Sequence, residues 1–181
     1  MTFQSKLMVV AAITVVIAQV LLAGAQSRRA AGETFVPRWS SVARWLATVA
    51  CALVVVGIVS HTLPTHLVQI TPLAVASVVC WRRLPWSMSA AAPLFVFWLL
   101  VMLGIWLFLL GIAPVFTGTF STVEIILTVV IAIASVFGMV TVNRQSTRIP
   151  VAQSFLTVVV ATALQGAALV LSYEPFIVRL R

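Results

Sequence analysis

Few side chains in this sequence can do chemistry, and five of them invite attention: His61, His66, Gln69, Glu124 and Gln165. The two histidines flank a short segment between apolar runs, and Gln69 lies one helical turn beyond His66. Glu124 opens a later apolar run and Gln165 sits well inside the last. Imidazole and carboxylate can hold a transition metal or carry a proton, and an amide can grip a polar solute. In an apolar solvent such groups are expensive unless paired, so an ionisable residue there points to function. His66, Gln69 and Leu73 share one helix face, and Tyr173 and Glu174 fall at the same depth. Together these positions predict a polar pocket in the outer half of a membrane bundle, between its third, fifth and sixth helices.

Each residue also has a structural explanation. Ser121-Thr122-Val123-Glu124 fits a capping box, in which the serine and glutamate satisfy backbone N–H groups at a helix start. His61 and His66 suit a polar loop at the water boundary, and Gln69 and Gln165 can hydrogen-bond between helices. The sequence has no HExxH, no Ser/His/Asp arrangement and no glycine-rich phosphate loop, which speaks against catalysis. Cys51 and Cys80 lie in separate apolar runs and match no metal spacing, so no metal site is expected. No cofactor is called for. A haem or quinone is the alternative, with the histidines as ligands or Trp98, Met102 and Trp106 as a stacking stripe, although two histidines flanking one turn do not resemble ligands on facing helices.

These residues are positioned by long apolar segments. The composition is 62% hydrophobic and 8% charged, whereas soluble domains carry roughly a quarter charged residues. About 20 apolar residues span a bilayer, and six stretches qualify: 7–25, 42–60, 64–81, 90–112, 122–142 and 151–172. The fold class is therefore all-α, a polytopic bundle of six transmembrane helices within a single membrane domain. Pro64 suits the first position of the third helix, and Pro72 inside it denies a partner to the carbonyl of Val68, which neighbouring helices must then cover. Pro93 is expected to open the fourth helix, with Gly111 and Pro114 closing it.

Orientation follows from the basic residues. Arg28, Arg29, Arg38, Arg44, Arg82, Arg83, Arg144 and Arg148 lie on the first, third and fifth loops, and only Lys6, Arg179 and Arg181 on the other side. The positive-inside rule puts the odd loops in the cytoplasm of a bacterial inner membrane, with both termini outside. The basic balance marks orientation and not nucleic-acid binding, because the charges do not cluster on a soluble face. Ala23-Gly24-Ala25 after an apolar run also matches a signal-peptide cleavage site, which would leave five helices.

Helices in lipid join through small residues. Candidates at four-residue spacing are Ala43, Ala47 and Cys51, then Ala134 and Gly138, then Thr162 and Gly166. With information concentrated in packing, the first functional expectation is a non-catalytic structural or accessory subunit, partnered by the bilayer and by other membrane proteins. A small-solute transporter or substrate-binding membrane component is the alternative, and a haem- or quinone-associated redox subunit the third.

Overall fold

A computed structural model describes residues 3–31, 39–113, 119–145 and 149–178. It contains α1 (Phe3–Ala30), α2 (Trp39–Val59), α3 (Leu63–Trp81), α4 (Ser87–Leu109), α5 (Thr122–Asn143), α6 (Val151–Ser172) and a short turn of helix, α7 (Pro175–Val178). The first six are long and apolar enough to cross a membrane, and the described residues contain no strand. The chain is a multi-pass membrane protein of the all-α class. Arg38 and Arg148, and with them Glu33, Pro37, Pro114, Arg179 and Arg181, lie outside the described residues.

The helices form a ring of five around one. Among the described residues α2 touches α3, α3 touches α6, α6 touches α1, α1 touches α5, and α5 returns to α2, while α4 touches all five. This accounts for the burial along α4. Every residue from Ser87 to Trp98 is buried, and beyond Trp98 only Met102 and Ile105 are. A helix buried all round must be apolar or internally satisfied all round. The polar groups of this stretch are short: Ser89 Oγ lies 3.0 Å from Ser154 Oγ on α6, and Cys80 Sγ approaches the Ser87 carbonyl at 3.7 Å. The outer faces of the ring carry the exposed hydrophobics, such as Val16, Val75, Ile133 and Leu164, as lipid requires.

Three helices end in the same way. At the end of α4, Ile112 N–H donates to the Leu107 carbonyl and Gly111 N–H to that of Phe108, with Gly111 at φ 71°. This is a Schellman closure around a left-handed residue. α2 and α3 close with the same pair of bonds, Thr62 to Gly57 with His61 to Ile58, and Leu84 to Val79 with Arg83 to Cys80. There the left-handed residues are His61 at φ 54° and Arg83 at φ 58°.

Several sequence expectations need correction. α4 begins at Ser87, so Pro93 is inside the helix instead of opening it. Cys51 is exposed while Ala43 is buried, so the proposed small face of α2 turns outward along its length. Gly138 packs directly against Phe95, whereas space is open around Gly166. α1 passes unbroken through Ala23-Gly24-Ala25, and its Thr14, Ala18, Leu22 and Ala25 are buried, so it packs as a full member of the bundle. At one end Arg28 Nη2 reaches the carbonyl and the side-chain oxygen of Asn143, both at 2.6 Å, tying α1 to the C-terminus of α5. A cation there also suits the negative end of that helix. Arg28, Arg44, Arg82, Arg83 and Arg144 mark this as the basic end of the bundle.

Candidate functional site

At the opposite end the ring opens around α4 and leaves a cavity of about 540 Å³, within the roughly 300–1,000 Å³ of small-molecule sites. All six spanning helices contribute to it. The walls are mainly apolar, from Leu53 and Val56 of α2, Phe97 and Met102 of α4 and Ile131 of α5. Of the five residues singled out in the sequence, His66, Gln69 and Glu124 line this cavity.

His66 is placed by the tight α2–α3 connection. A Cβ on Gly57 would stand 3.0 Å from both the Cβ of His66 and the Cα of Leu63, so only glycine lets α3 start this close to α2. The ring Nδ1 lies 3.1 Å from the Thr62 carbonyl and 3.0 Å from its hydroxyl. Thr62 Oγ1 is 2.5 Å from Ser60 Oγ, which donates to the Val56 carbonyl at 2.7 Å. Two carbonyls in this chain can only accept, which gives it a direction with Nδ1 as the donor.

Gln69 is 5% exposed and donates through Nε2 to Ser172 Oγ at 2.9 Å. Gln165 lies behind it, fully buried, and donates through Nε2 to the backbone carbonyl of Gln69 at 3.2 Å. Gln165 therefore stands outside the cavity and braces α3 one turn before Pro72. Its bond meets the carbonyl one residue beyond Val68, the position at which the sequence predicts a gap in the ladder.

Glu124 combines both of its expected roles. Its Oε2 accepts the Ser121 N–H at 2.7 Å, its own N–H donates to Ser121 Oγ at 3.3 Å, and the side chain lies on the cavity wall. His61 does not join the group: it is exposed and serves as the left-handed closing residue of α2. The two histidines thus occupy different environments. Among the described residues no three His, Cys, Asp or Glu side chains gather as a metal would need. α3 and α5 do not touch, and the cavity between them is filled in part by α4.

Other lining residues carry polar groups that sequence reasoning did not assign to a site. Lys6 on α1 and Tyr173 just past α6 contribute to the same end. Thr65 and Trp98 also line the cavity, at 3% and 2% exposure. Their Oγ1 and Nε1 atoms have no hydrogen-bond partner among the described residues. A buried indole N–H usually finds a partner, so each atom is an unmatched polar point buried behind a mainly apolar wall. The sequence signal for Trp98 was its place in a bulky stripe. That stripe splits in the structure, because Met102 shares the cavity and Trp106 does not line it. A second cavity of about 550 Å³ runs along Pro72 between α3, α4 and α6 and is almost wholly apolar, as a groove facing lipid would be.

The chain matches no family model, no curated protein and no solved structure.

Proposed function

We propose that this protein is a non-catalytic solute-binding or transporting membrane component that takes a small molecule into the cavity around the outer half of α4. The observation that carries this reading is the cavity itself, a mainly apolar space with His66, Gln69 and Glu124 on its wall, behind which Thr65 Oγ1 and Trp98 Nε1 are buried without a partner among the described residues. An unsatisfied buried polar group costs about 1–3 kcal/mol, and a ligand with a matching acceptor and donor recovers it. Pure packing has no use for such a space, and for this reason ligand binding is preferred over an accessory-subunit role. α3, with Pro72 inside it, brings Gln69 to the cavity wall, where its amide is available to a polar group.

The gathering of arginines at the opposite end supports a bacterial inner-membrane protein with that end in the cytoplasm and the cavity opening outward. The test is thermal unfolding of the purified protein against a panel of small solutes and amphiphiles. A ligand at 100 times its Kd stabilises the folded state by about 2.7 kcal/mol. At least one compound is expected to raise Tm in the wild type and to lose that effect in Trp98→Phe and Gln69→Leu. Stabilisation that survives both substitutions, or none across the panel, rejects the reading.

A further inference from the structure

We infer that the cavity's ligand is a zwitterionic single-chain or phospholipid-type amphiphile that enters sideways from the bilayer between α1 and α5. The inference rests on the ligand-binding reading and names the class of molecule.

Among neighbours in the ring, α1 and α5 share the least contact, and that seam is tied at one end. At the basic end Arg28 holds Asn143, and Gly24 brings α1 to within ordinary contact of the same side chain, 3.9 Å from its Oδ1 to the position of an added Cβ. Toward the opposite end both helices turn to the cavity: Lys6, Val10 and Ile13 from α1, Glu124, Thr128 and Ile131 from α5. Ile13 lines the cavity and is still 42% exposed on the surface. An entry between two spanning helices with apolar edges would open onto lipid chains, not onto water.

The two edges carry opposite charges at the same level. Lys6 is in the first turn of α1 and Glu124 in the first turn of α5. Lys6 makes no hydrogen bond or ion pair among the described residues, and its flexible stem lets the ammonium stay at the headgroup level while its methylenes cover apolar surface. Glu124 gives Oε2 to the helix cap. A headgroup with one negative and one positive group satisfies both edges at once, whereas a simple anion meets Lys6 and is repelled by Glu124. Below the head, an acyl chain fits the wall of Leu53, Phe97, Met102 and Ile131.

The experiment uses the intrinsic fluorescence of Trp98 in the full chain, with Trp39, Trp45, Trp81, Trp86 and Trp106 changed to Phe, reconstituted in vesicles. Bulk lipid does not reach a residue this buried, so quenching requires a quencher inside the cavity. Chain-brominated lysophosphatidylcholine at low mole fraction is expected to quench saturably and to be displaced by the unbrominated form. Lys6→Glu and Glu124→Gln should each raise the half-saturating fraction several-fold; Gln keeps the capping box, so that loss reports charge alone. Brominated fatty acid should bind at least tenfold more weakly.

Equal quenching by both amphiphiles overturns the headgroup assignment. Quenching by aqueous iodide alone overturns entry from lipid and leaves a hydrophilic ligand, so the broader reading stands; protection from every quencher removes both. If the substituted chain fails to assemble, native mass spectrometry of the unsubstituted protein decides instead. A bound zwitterionic lipid lost on Lys6→Glu supports the inference, and retention unchanged in that variant overturns it.

Discussion

Gly138→Ala adds a single methyl group and should be among the most damaging small changes in this protein. A Cβ at Gly138 would stand 2.3, 2.4 and 2.7 Å from Cζ, Cε1 and Cδ1 of Phe95, against the roughly 3.5–4.0 Å of a relaxed carbon contact. The ring cannot swing away, because Phe95 is fully buried in the stretch of α4 enclosed on all sides. Either the ring leaves its rotamer or α5 moves outward by about an ångström. Overpacking of this kind costs about 1–3 kcal/mol, and three clashing atoms place it at the upper end. Against it stands the better helix propensity of alanine, worth about 1 kcal/mol, so a net loss of about 2 kcal/mol is expected.

The same substitution at Gly166 meets nothing within 4 Å and should stabilise by up to about 1 kcal/mol. Reversible unfolding of both variants in mixed micelles gives the two values, and Phe95→Leu in the Gly138→Ala background should restore most of the loss. If Gly138→Ala and Gly166→Ala shift stability in the same direction, or Phe95→Leu does not rescue, the close approach of α4 and α5 is wrong.

His61 should behave as a backbone device. His61→Gly is expected to be neutral or slightly stabilising by the same unfolding measurement, while His61→Val loses about 1–2 kcal/mol because a branched residue resists the left-handed conformation; equal tolerance of both would contradict the closure described. Gln165→Leu should destabilise by about 1 kcal/mol, near the measured scale of interhelical hydrogen bonds in membranes. The same unfolding measurement reads it, and no loss would show that the bond to the Gln69 carbonyl does not hold α6 to α3. For orientation, Arg82→Cys and Ser60→Cys in a Cys51→Ala, Cys80→Ala background should react with an impermeant thiol reagent from opposite sides of the membrane. Labelling of Arg82→Cys from outside intact cells would invert the proposed topology.

The membrane fold was legible because lipid imposes a length and a composition that few other structures share. The capping box of α5 was legible for a related reason: its bonds are local, and four consecutive residues contain all the information. His61 was not, because three residues of spacing between Ser60 and Leu63 look like an ordinary polar loop until the closing bonds of α2 are known. Gly138 and Gly166 carry the same motif in sequence and have opposite surroundings, since what faces a glycine is decided by another helix. Likewise Lys6, Thr65 and Trp98 belong with Glu124 only through the ring order, which no periodicity encodes. His66 and Gln69 were accessible in advance since they share one face of one helix. Gln165 was drawn into the same set by depth alone, and depth does not distinguish a cavity wall from the layer behind it.

The cavity has its origin in a gradient of side-chain size along α4. Its first half carries Ser87, Ser89, Ala90, Ala91, Ala92 and Pro93, residues small enough for the ring to close on the helix around one large side chain, Met88, and all are buried. Phe95 follows, and the ring stays closed at that level because Gly138 supplies the missing volume on α5. Past this point α4 carries Phe97, Trp98, Met102 and Trp106, and α5 offers Ile131 and Thr128 where a glycine would be needed for the same approach. Bulk against bulk holds the helices apart, and helices held apart in a bundle anchored at its other end by Arg28 and Asn143 enclose space. The site is thus a product of packing that is tight at one end of the bundle.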